Sequence, residues 1–204
     1  MLTEIKSFKE FSQHFKDKPG SGFRNPKLGE ILNSAGFTKT GQGSNASVWS
    51  NPAYDYVLKV FMSDDVGYKS WYEYCKSHQN NVFVPKIKGT LIRLDDWTYA
   101  CRLERLVPQR TNVQLALSML VTYYPYIFEG RTAPGGVLTT DDITNMIMVV
   151  SQYFPGFRSN KDLTDVVQWI YVNSHEGAYN DIMTTNNVMT RRNGEVVIID
   201  PIAR

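Results

Sequence analysis

Hydrophobic positions in the first third of the chain change from helical to strand spacing. Apolar residues at helical spacing follow Thr3 and stop at Pro19-Gly20, and a second helical pattern runs from Pro26 to Ala35. Three short strand patterns come next, and they are Phe37–Gly41, Ser47–Asn51 and Tyr56–Met62. The pattern predicts two helices followed by a small sheet.

The rest of the chain is predicted to be a helix, a hairpin and then a mainly helical region. Ser63 with the two acids after it is the expected N-cap of a helix that ends near His78. Two apolar runs on either side of the turn Asp95-Asp96 predict a hairpin whose second strand ends at Glu104. Further helices are predicted at 112–126, after a cap at Thr140 and after a cap at Asn160.

A glycine-rich turn between the first two predicted strands is the first candidate for chemistry. Residues 41–48 read G-x-G-x-x-A-x-V, and Lys59 lies in the middle of the next strand. Glycine lets the backbone approach phosphate oxygens, Val48 would cover a nucleotide base, and Lys59 would pair the phosphates. Either feature alone is more often a hairpin turn or an outward-facing lysine. Their order along the chain favours nucleotide binding by Gly41, Gly43, Ala46, Val48 and Lys59.

Oxygen-bearing side chains near the end of the chain are the second candidate. Asp181 is followed by Asn186 and Asn187, and an apolar run from Val196 then ends at Asp200. Phosphoryl transfer needs an Asp that takes the proton of the attacking hydroxyl, and an Asn and an Asp that hold Mg²⁺ or Mn²⁺ against ATP. This second pattern therefore predicts Asp181 as the catalytic base, assisted by Lys59.

Composition and charge limit the other functions. The chain has 204 residues, 42% hydrophobic content and a net charge of +2, which suits one domain and gives no basic stripe for nucleic acid. Cys75 and Cys101 have no metal-ligand spacing, so we expect reduced thiols in the core. No signal peptide and no membrane span are predicted, so we expect a soluble cytoplasmic protein with no membrane partner.

Taken in order, these motifs resemble the protein-kinase-like fold, and most closely the small serine/threonine protein kinases of T-seven-like phages. The resemblance rests on the glycine loop 41–48, the lysine strand 56–60 and the segments 181–189 and 194–201, in which Asp-Pro stands where most kinases have Asp-Phe-Gly. It implies a minimal two-lobed α+β fold, with an antiparallel sheet lobe over 1–106 and a reduced helical lobe over 107–204.

The same resemblance implies an activity and a setting. The protein would be an ATP-dependent serine/threonine protein kinase, made early in phage infection and acting on host proteins in the host cytoplasm, with autophosphorylation also expected. Glu73 would pair Lys59, and the strand end with Glu104 and Leu106 would correspond to the hinge that meets the adenine. Counting from Asp181 points to Asn186 as the metal ligand, whereas counting back from Asp200 points to Asn187, which we favour.

Departures from the family pattern leave two alternatives open. Tyr179-Asn180 replaces the usual His-Arg before the catalytic Asp, and no activation segment follows Asp200 before Arg204. One alternative is a catalytically weak pseudokinase that acts as a binding or inhibitory module. The other is a small-molecule phosphotransferase of the aminoglycoside-kinase type, for which we would expect a longer acidic substrate lobe.

Overall fold

The computed structural model describes residues 26–94, 96–108, 111–132, 138–174, 179–184 and 186–203. The helix predicted after Thr3 lies outside the described residues, as do Asp95 and part of the loop 130–136. The chain divides into two compact units. The first holds the described residues up to Lys69 together with Lys86–Arg105, and the second holds Ser70–Pro85 and the described residues from Leu106 onward.

The first unit is built on a five-stranded antiparallel sheet. Its strands are β1 (Thr38–Gln42), β2 (Ala46–Ser50), β3 (Tyr56–Met62), β4 (Ile92–Arg93) and β5 (Thr98–Glu104). They lie in the order β1-β2-β3-β5-β4. The strands predicted from the alternating pattern are therefore present, with ends that move by a residue at most in β1, β2 and β3.

One face of this sheet is covered by helix α1 (Pro26–Ser34). Proline at the first helical position begins the helix, where its missing N–H costs no hydrogen bond. The buried side of α1 packs with Trp49, Leu58 and Val60 of the sheet. Because alternate residues of a strand point to opposite faces, Val48 and Lys59 belong to the other face of the sheet.

Helix α2 (Val66–Ser77) begins two residues later than the sequence predicts. The predicted N-cap at Ser63 is wrong, because its hydroxyl donates to the carbonyl of Asp96 instead (3.2 Å). Asp65 caps the helix, since its Oδ1 accepts a hydrogen bond from the amide of Tyr68 (3.0 Å). An Asp serves this purpose as well as a Ser, so the sequence alone did not separate the two.

The second unit contains the remaining helices. They are α3 (Thr111–Thr122), α4 (Tyr124–Ile127), α5 (Thr140–Tyr153) and α6 (Lys161–Asn173), with a 3₁₀ turn at Phe157–Ser159. The predicted cap at Asn160 is confirmed, because its side chain accepts from the amide of Leu163. The predicted cap at Thr140 is wrong by one residue: Thr139 forms a capping box with Asp142.

Five short strands complete the second unit. They are β6 (Val107–Pro108), β7 (Tyr179–Asn180), β8 (Val188–Thr190), β9 (Val196–Ile198) and β10 (Ile202–Ala203). β6, β8 and β9 form one antiparallel sheet, and β7 pairs with β10 in another. Sheet and helical units together confirm the predicted α+β class. Within the described ranges, no helix combines the length and the apolar character needed to cross a bilayer.

The segment Ser70–Pro85 groups with the second unit although it lies between β3 and β4 of the first unit in sequence. The Asn81 side chain donates to the carbonyl of Asp162 (2.8 Å), and the amide of Ile198 donates to the carbonyl of Phe83 (2.8 Å). Arg191 adds guanidinium bonds to the backbone carbonyls of this segment. These bonds tie the segment to α6 and to the β8–β9 hairpin.

Candidate functional site

In the first unit, the sheet register places three predicted nucleotide-binding residues in one row. Gly41 is the cross-strand partner of Val48, and Val48 is the partner of Lys59. Directly opposed residues of an antiparallel sheet project to the same face, so Val48 and Lys59 are immediate neighbours. Ala46 lies two residues before Val48 on that face and is buried. Strand pairing therefore brings together residues that lie apart in the sequence.

The glycine turn is a tight hairpin in which a Cβ at either glycine would meet no steric clash. The amide of Gly43 donates to the carbonyl of Ala46 (2.8 Å). A Cβ built on Gly43 would find its nearest neighbour, the Ala46 carbonyl oxygen, at 4.0 Å, and one on Gly41 would meet Val48 at an ordinary 3.6 Å. Neither glycine has a positive φ. The fold of the first unit therefore tolerates alanine at both positions.

Lys59 is 4% exposed, which is unusual for an ammonium group. Its Nζ lies 3.4 Å from the ring centroid of Tyr68, in the first turn of α2. Tyr68 is itself fixed by an edge contact with Phe61 and by its hydroxyl, 3.7 Å from the Sγ of Cys101. The π-face of a tyrosine attracts a cation, and most strongly where water is excluded. Sequence reasoning missed Tyr68, because no local pattern links it to Lys59.

Glu73, Glu104 and Leu106 occupy three different settings. Glu73 is exposed on α2, away from the buried face of that helix, and its pairing with Lys59 stays a prediction. Glu104 ends β5, where its Oε1 accepts from the amide of Lys86 (2.8 Å). Leu106 is half-buried in the second unit, and in the chain it follows β5 and precedes β6.

In the second unit, backbone pairing gathers Asp181, Asn187 and Asp200. The amide of Asp181 donates to the carbonyl of Pro201 (2.8 Å), and the amide of Ile199 donates to the carbonyl of Asn187 (2.7 Å). The two residues on either side of Asp200 are thus bonded to the two ends of the loop 181–187. The pairings of β7 with β10 and of β8 with β9 extend this contact in both directions.

The side chain of Asn187 is joined directly to Asp181. Its Nδ2 donates to the backbone carbonyl of Asp181 (2.8 Å) and to the carboxylate Oδ2 (3.0 Å). Asn186 is exposed and has φ +68°, a left-handed conformation that Asn tolerates better than most residues. Of the two candidate asparagines, Asn187 is the one that the backbone turns toward Asp181.

The loop 181–187 is also held by a buried side-chain amide. Gln114 of α3 is 6% exposed, and its Nε2 lies within hydrogen-bond distance of the carbonyls of Ile182 (3.3 Å) and Thr184 (3.2 Å). The Oδ1 of Asn180 accepts from the amide of Ile182 (3.0 Å). The sequence analysis missed Gln114. Its signal was present, since it is a polar residue among apolar ones on a predicted helix, and buried polar groups need partners.

Thr184 is a second residue of this loop that the sequence analysis did not select. Its hydroxyl donates to the Oδ1 of Asp181, and its amide donates to the backbone carbonyl of Asp181 (3.1 Å). Both carboxylate oxygens of Asp181 are therefore contacted from within the loop, one by Asn187 and one by Thr184. This arrangement fixes the carboxylate in a single orientation.

The chemistry of the donor set fits a hard divalent cation. The Asn187 amide donates through its nitrogen, which leaves its oxygen as an acceptor, and Asp200 contributes a half-buried carboxylate. Mg²⁺ in phosphate-binding sites typically takes one or two carboxylates and completes its shell with phosphate and water. Among the described residues, no three or more His, Cys, Asp or Glu side chains form a group that could hold a metal ion. A cation bound at Asn187 and Asp200 would therefore need phosphate or water to complete its coordination shell.

Comparisons with known proteins give structural neighbours and no family. No family model matches the sequence, and no curated protein matches it. Solved structures of aminoglycoside phosphotransferase APH(4)-Ia resemble the fold. A thermostable mutant in ternary complex with ADP and hygromycin B has a TM-score of 0.37 and 14% identity, covering 87% of this chain and 73% of that one.

Two further structures of the same phosphotransferase give similar values. One has a TM-score of 0.36 and 16% identity, and covers 88% of this chain and 72% of its own. A ternary complex with AMP-PNP and hygromycin B has a TM-score of 0.38 and 14% identity, with coverages of 85% and 70%. Likeness at this level identifies neither an activity nor a substrate for this chain.

Proposed function

We propose that this protein is a phosphotransferase of the kinase-like type, which moves the terminal phosphoryl group of a nucleoside triphosphate to a hydroxyl. The observation that carries the proposal is the cluster in the second unit. There Asn187 donates to the carboxylate of Asp181, and backbone bonds hold Asp200 against the ends of the same loop. A fixed carboxylate base beside oxygen ligands for a cation is what phosphoryl transfer requires of a protein.

Asp181 acts as the base in this proposal. The acceptor hydroxyl donates a hydrogen bond to the carboxylate and gives up its proton there as the new bond to phosphorus forms. Asn187 keeps the carboxylate turned toward that position through its bond to Oδ2. Because the loop is anchored by Gln114 and by the backbone bond to Pro201, this orientation costs nothing at the moment of reaction.

Asn187 and Asp200 would hold Mg²⁺ or Mn²⁺. When bound, such a cation neutralises charge on the phosphate oxygens. The first unit supports nucleotide binding on separate grounds. It presents a turn with glycine at positions 41 and 43, and beside it Val48 and a nearly buried lysine on one sheet face. ATP is the nucleotide to test first.

The proposal is tested by following nucleotide turnover and phosphoryl transfer by purified protein with MgATP. Asp181→Asn should reduce transfer by about 10²- to 10⁴-fold, the usual contribution of a general base. Asp200→Asn should also reduce it, and additional Mg²⁺ should restore part of the loss. Asp141→Asn, an exposed acid in the first turn of α5, is the matched control and should behave as wild type.

Equal transfer by wild type, Asp181→Asn and Asp200→Asn would overturn the assignment. Nucleotide binding without any transfer by the wild type would instead support the binding-module alternative. Circular dichroism of each variant establishes that the fold is intact. Lys59→Met, which keeps the length of the side chain and removes its charge, should weaken nucleotide binding as measured by calorimetry.

Two acceptor classes enter the same experiment. A protein serine or threonine is the acceptor that the resemblance to phage kinases implies, and host proteins are then the expected partners. A small polyhydroxylated molecule is the second candidate, because the neighbouring phosphotransferase structures contain hygromycin B. Radiolabelled transfer into a cell lysate, compared with transfer into its low-molecular-weight fraction and into hygromycin B, decides between them.

A further inference from the structure

We propose that Tyr68 is a positioning residue of the nucleotide site, and that its ring holds the ammonium group of Lys59 in the orientation that binds phosphate oxygens. This inference rests on the proposed function and adds to it a residue that acts through the lysine. It makes the affinity for a triphosphate depend on an aromatic side chain of α2. The starting observation is that the Nζ of Lys59 lies 3.4 Å from the ring centroid of Tyr68.

The pairing of β3 with β5 places this ring over the lysine. Lys59 and Cys101 are directly opposed across the two strands, so their side chains are neighbours on one sheet face. Tyr68 contacts both members of this pair, because its ring lies on the ammonium group and its hydroxyl lies 3.7 Å from the Sγ of Cys101. The phenol therefore bridges the cross-strand pair, and this aligns its ring with the lysine.

Two further contacts fix Tyr68 from other directions. Its amide donates to the Oδ1 of Asp65, the cap of α2 (3.0 Å). Phe61 follows Lys59 by two residues on the same face of β3, and it meets the ring edge-on with the centroids 4.7 Å apart. Both aromatic side chains are fully buried. The ring is thus held in one position by contacts that do not involve a ligand.

The chemistry of the contact suits a lysine that binds phosphate. The face of an aromatic ring attracts a cation, and most strongly where water is excluded, as it is around the nearly buried Lys59. Because the ring has no net charge, it orients the ammonium group without cancelling the charge that attracts phosphate. A lysine side chain loses rotamer freedom when it binds a ligand, and one that is already oriented loses less. Removal of the ring should therefore weaken triphosphate binding.

A ring that only fills the core would have the same contacts, and the choice of ligand separates the two roles. Calorimetry gives the affinity of the purified full chain for AMP-PNP with Mg²⁺, and displacement gives the affinity for adenosine, which has no phosphate. Tyr68→Leu should weaken binding of AMP-PNP about 5- to 30-fold and change that of adenosine less than about 2-fold. Tyr68→Phe keeps the ring and should bind both ligands as wild type does.

Tyr99→Leu is the matched control. Tyr99 belongs to the same aromatic cluster, since its ring stacks on that of Phe61 with the centroids 5.9 Å apart, but the cation over it is Lys69 (5.2 Å). The substitution removes a ring from the same sheet face and leaves the ring on Lys59. Tyr99→Leu should therefore keep the wild-type ratio of the AMP-PNP and adenosine affinities. Thermal unfolding of each variant establishes that it is folded at the temperature of the titration.

A double-mutant cycle tests whether the ring acts through the lysine. Lys59→Met alone should weaken AMP-PNP binding. Adding Tyr68→Leu to Lys59→Met should weaken it by less than about a further 2-fold, because the charge that the ring orients is already gone.

A spectroscopic measurement on the wild type does not depend on the folding of any Tyr68 variant. Protons close to the face of an aromatic ring are shifted upfield in NMR spectra, so the ε-methylene protons of Lys59 should lie upfield of those of other lysines. The signal is assigned by its absence in Lys59→Met. It should stay upfield when AMP-PNP and Mg²⁺ are bound, because the ring keeps the lysine in the same orientation.

Equal affinity of Tyr68→Leu and wild type for AMP-PNP would overturn the inference, and so would an equal loss of AMP-PNP and adenosine binding. Full additivity in the cycle, or return of the Lys59 signal to an ordinary position in the complex, would overturn it as well. If the wild type binds AMP-PNP and transfers phosphate from ATP while these results go against Tyr68, only this inference fails. If the wild type neither binds the analogue nor transfers phosphate, the proposed function fails with it.

Discussion

The contact between Lys59 and Tyr68 contributes to the stability of an ammonium group in a nearly buried position. Burying a cation costs free energy unless its charge is compensated. The ring of Tyr68, 1% exposed and 3.4 Å from Nζ, supplies part of that compensation through its negative face. The ring of Tyr68 therefore helps to hold the lysine side chain in its position.

Tyr68 substitutions test this at the scale of a single residue. Tyr68→Phe keeps the ring over Lys59 and should change the free energy of unfolding by less than about 1 kcal/mol, since the bond between its hydroxyl and the sulfur of Cys101 is weak. Tyr68→Leu removes the ring and should cost about 2 kcal/mol more, from the lost cation–π contact and the lost packing. Denaturant unfolding measures both values, and equal destabilisation by the two variants would contradict the assigned role of the ring.

At the scale of elements, the turn between β1 and β2 contains glycines that the stability of the fold does not require. Gly43→Ala should leave stability unchanged or raise it by about 0.4 to 1 kcal/mol, because alanine has less conformational freedom in the unfolded chain. If the proposed function is right, it should nonetheless weaken ATP binding about 10-fold, because the added methyl group would lie where the phosphates are proposed to approach. Calorimetry measures the affinity, and thermal unfolding measures the stability.

Gly36→Ala is the matched control for this hairpin prediction. Gly36 has φ +79°, and a Cβ there would meet the side-chain amide of Asn51 at 3.0 Å. Alanine in this conformation should cost about 1 kcal/mol or more of stability, with no direct effect on nucleotide affinity. If Gly43→Ala lost stability as Gly36→Ala does and bound ATP as tightly as wild type, the phosphate-binding role of the turn would be wrong.

The first turn of α5 makes a pH-dependent contribution to stability. The hydrogen bond from the Thr139 hydroxyl, followed by the one from its backbone amide, lowers the pKa of Asp142 below the ordinary value of 3.8. A lowered pKa means that the folded state favours the ionised form. The contribution is therefore complete above pH 3.8 and is lost as the pH falls through the lower folded-state value.

Asp142→Asn should reduce stability at pH 7, and the difference from wild type should shrink as the pH falls below 3.8. Asp141→Asn, one position earlier in the same turn and outside the capping box, should show a smaller effect at every pH. Thr139→Ala removes the cap and should cost about 1 kcal/mol at pH 7. Urea unfolding at several pH values measures these differences, and a constant difference between wild type and Asp142→Asn would contradict the role of the ionised carboxylate.

At the scale of the whole molecule, the two units are not two consecutive stretches of chain, because Ser70–Pro85 belongs to the second unit and Lys86–Arg105 to the first. Asn81 is 6% exposed and bonds both ways: Nδ2 donates to the carbonyl of Asp162, and Oδ1 accepts from the amide of Phe83 (2.8 Å). Asn81→Ala leaves these two backbone groups unpaired and should cost about 1 to 3 kcal/mol. Asn80→Ala, at the exposed neighbouring position, should cost less than about 0.5 kcal/mol.

Native-state hydrogen exchange shows where the loss occurs. In Asn81→Ala, amides of β8, β9 and α6 should exchange faster, because the lost bonds lie within the second unit. Amides of β2 and β3 should keep their protection, because they belong to the first unit. Uniform loss of protection in both units would show that they unfold as a single cooperative body.

The sequence alone determined the elements that depend on local interactions. The strands around the glycine turn, the helix that begins at Pro26 and the cap at Asn160 depend on residues close together in the chain, so periodicity and capping rules find them. Asp181, Asn186 or Asn187, and Asp200 could also be selected as candidates from the sequence, because they follow one another over a short stretch of chain. The exact N-cap residue of α2 and of α5 could not be chosen from the sequence. Ser63 and Asp65, or Thr139 and Thr140, are residue types that cap helices about equally well.

Partnerships between distant residues were decided only by the tertiary structure. Three contacts each join residues from separate elements: Tyr68 with Lys59, Gln114 with the loop 181–187, and Ser70–Pro85 with α6. The turn of Asn187 toward Asp181 depends on the left-handed backbone at Asn186, which adjacent asparagines do not reveal by type. Such contacts follow from which faces pack and which strands pair, and these depend on the free energy of the whole fold.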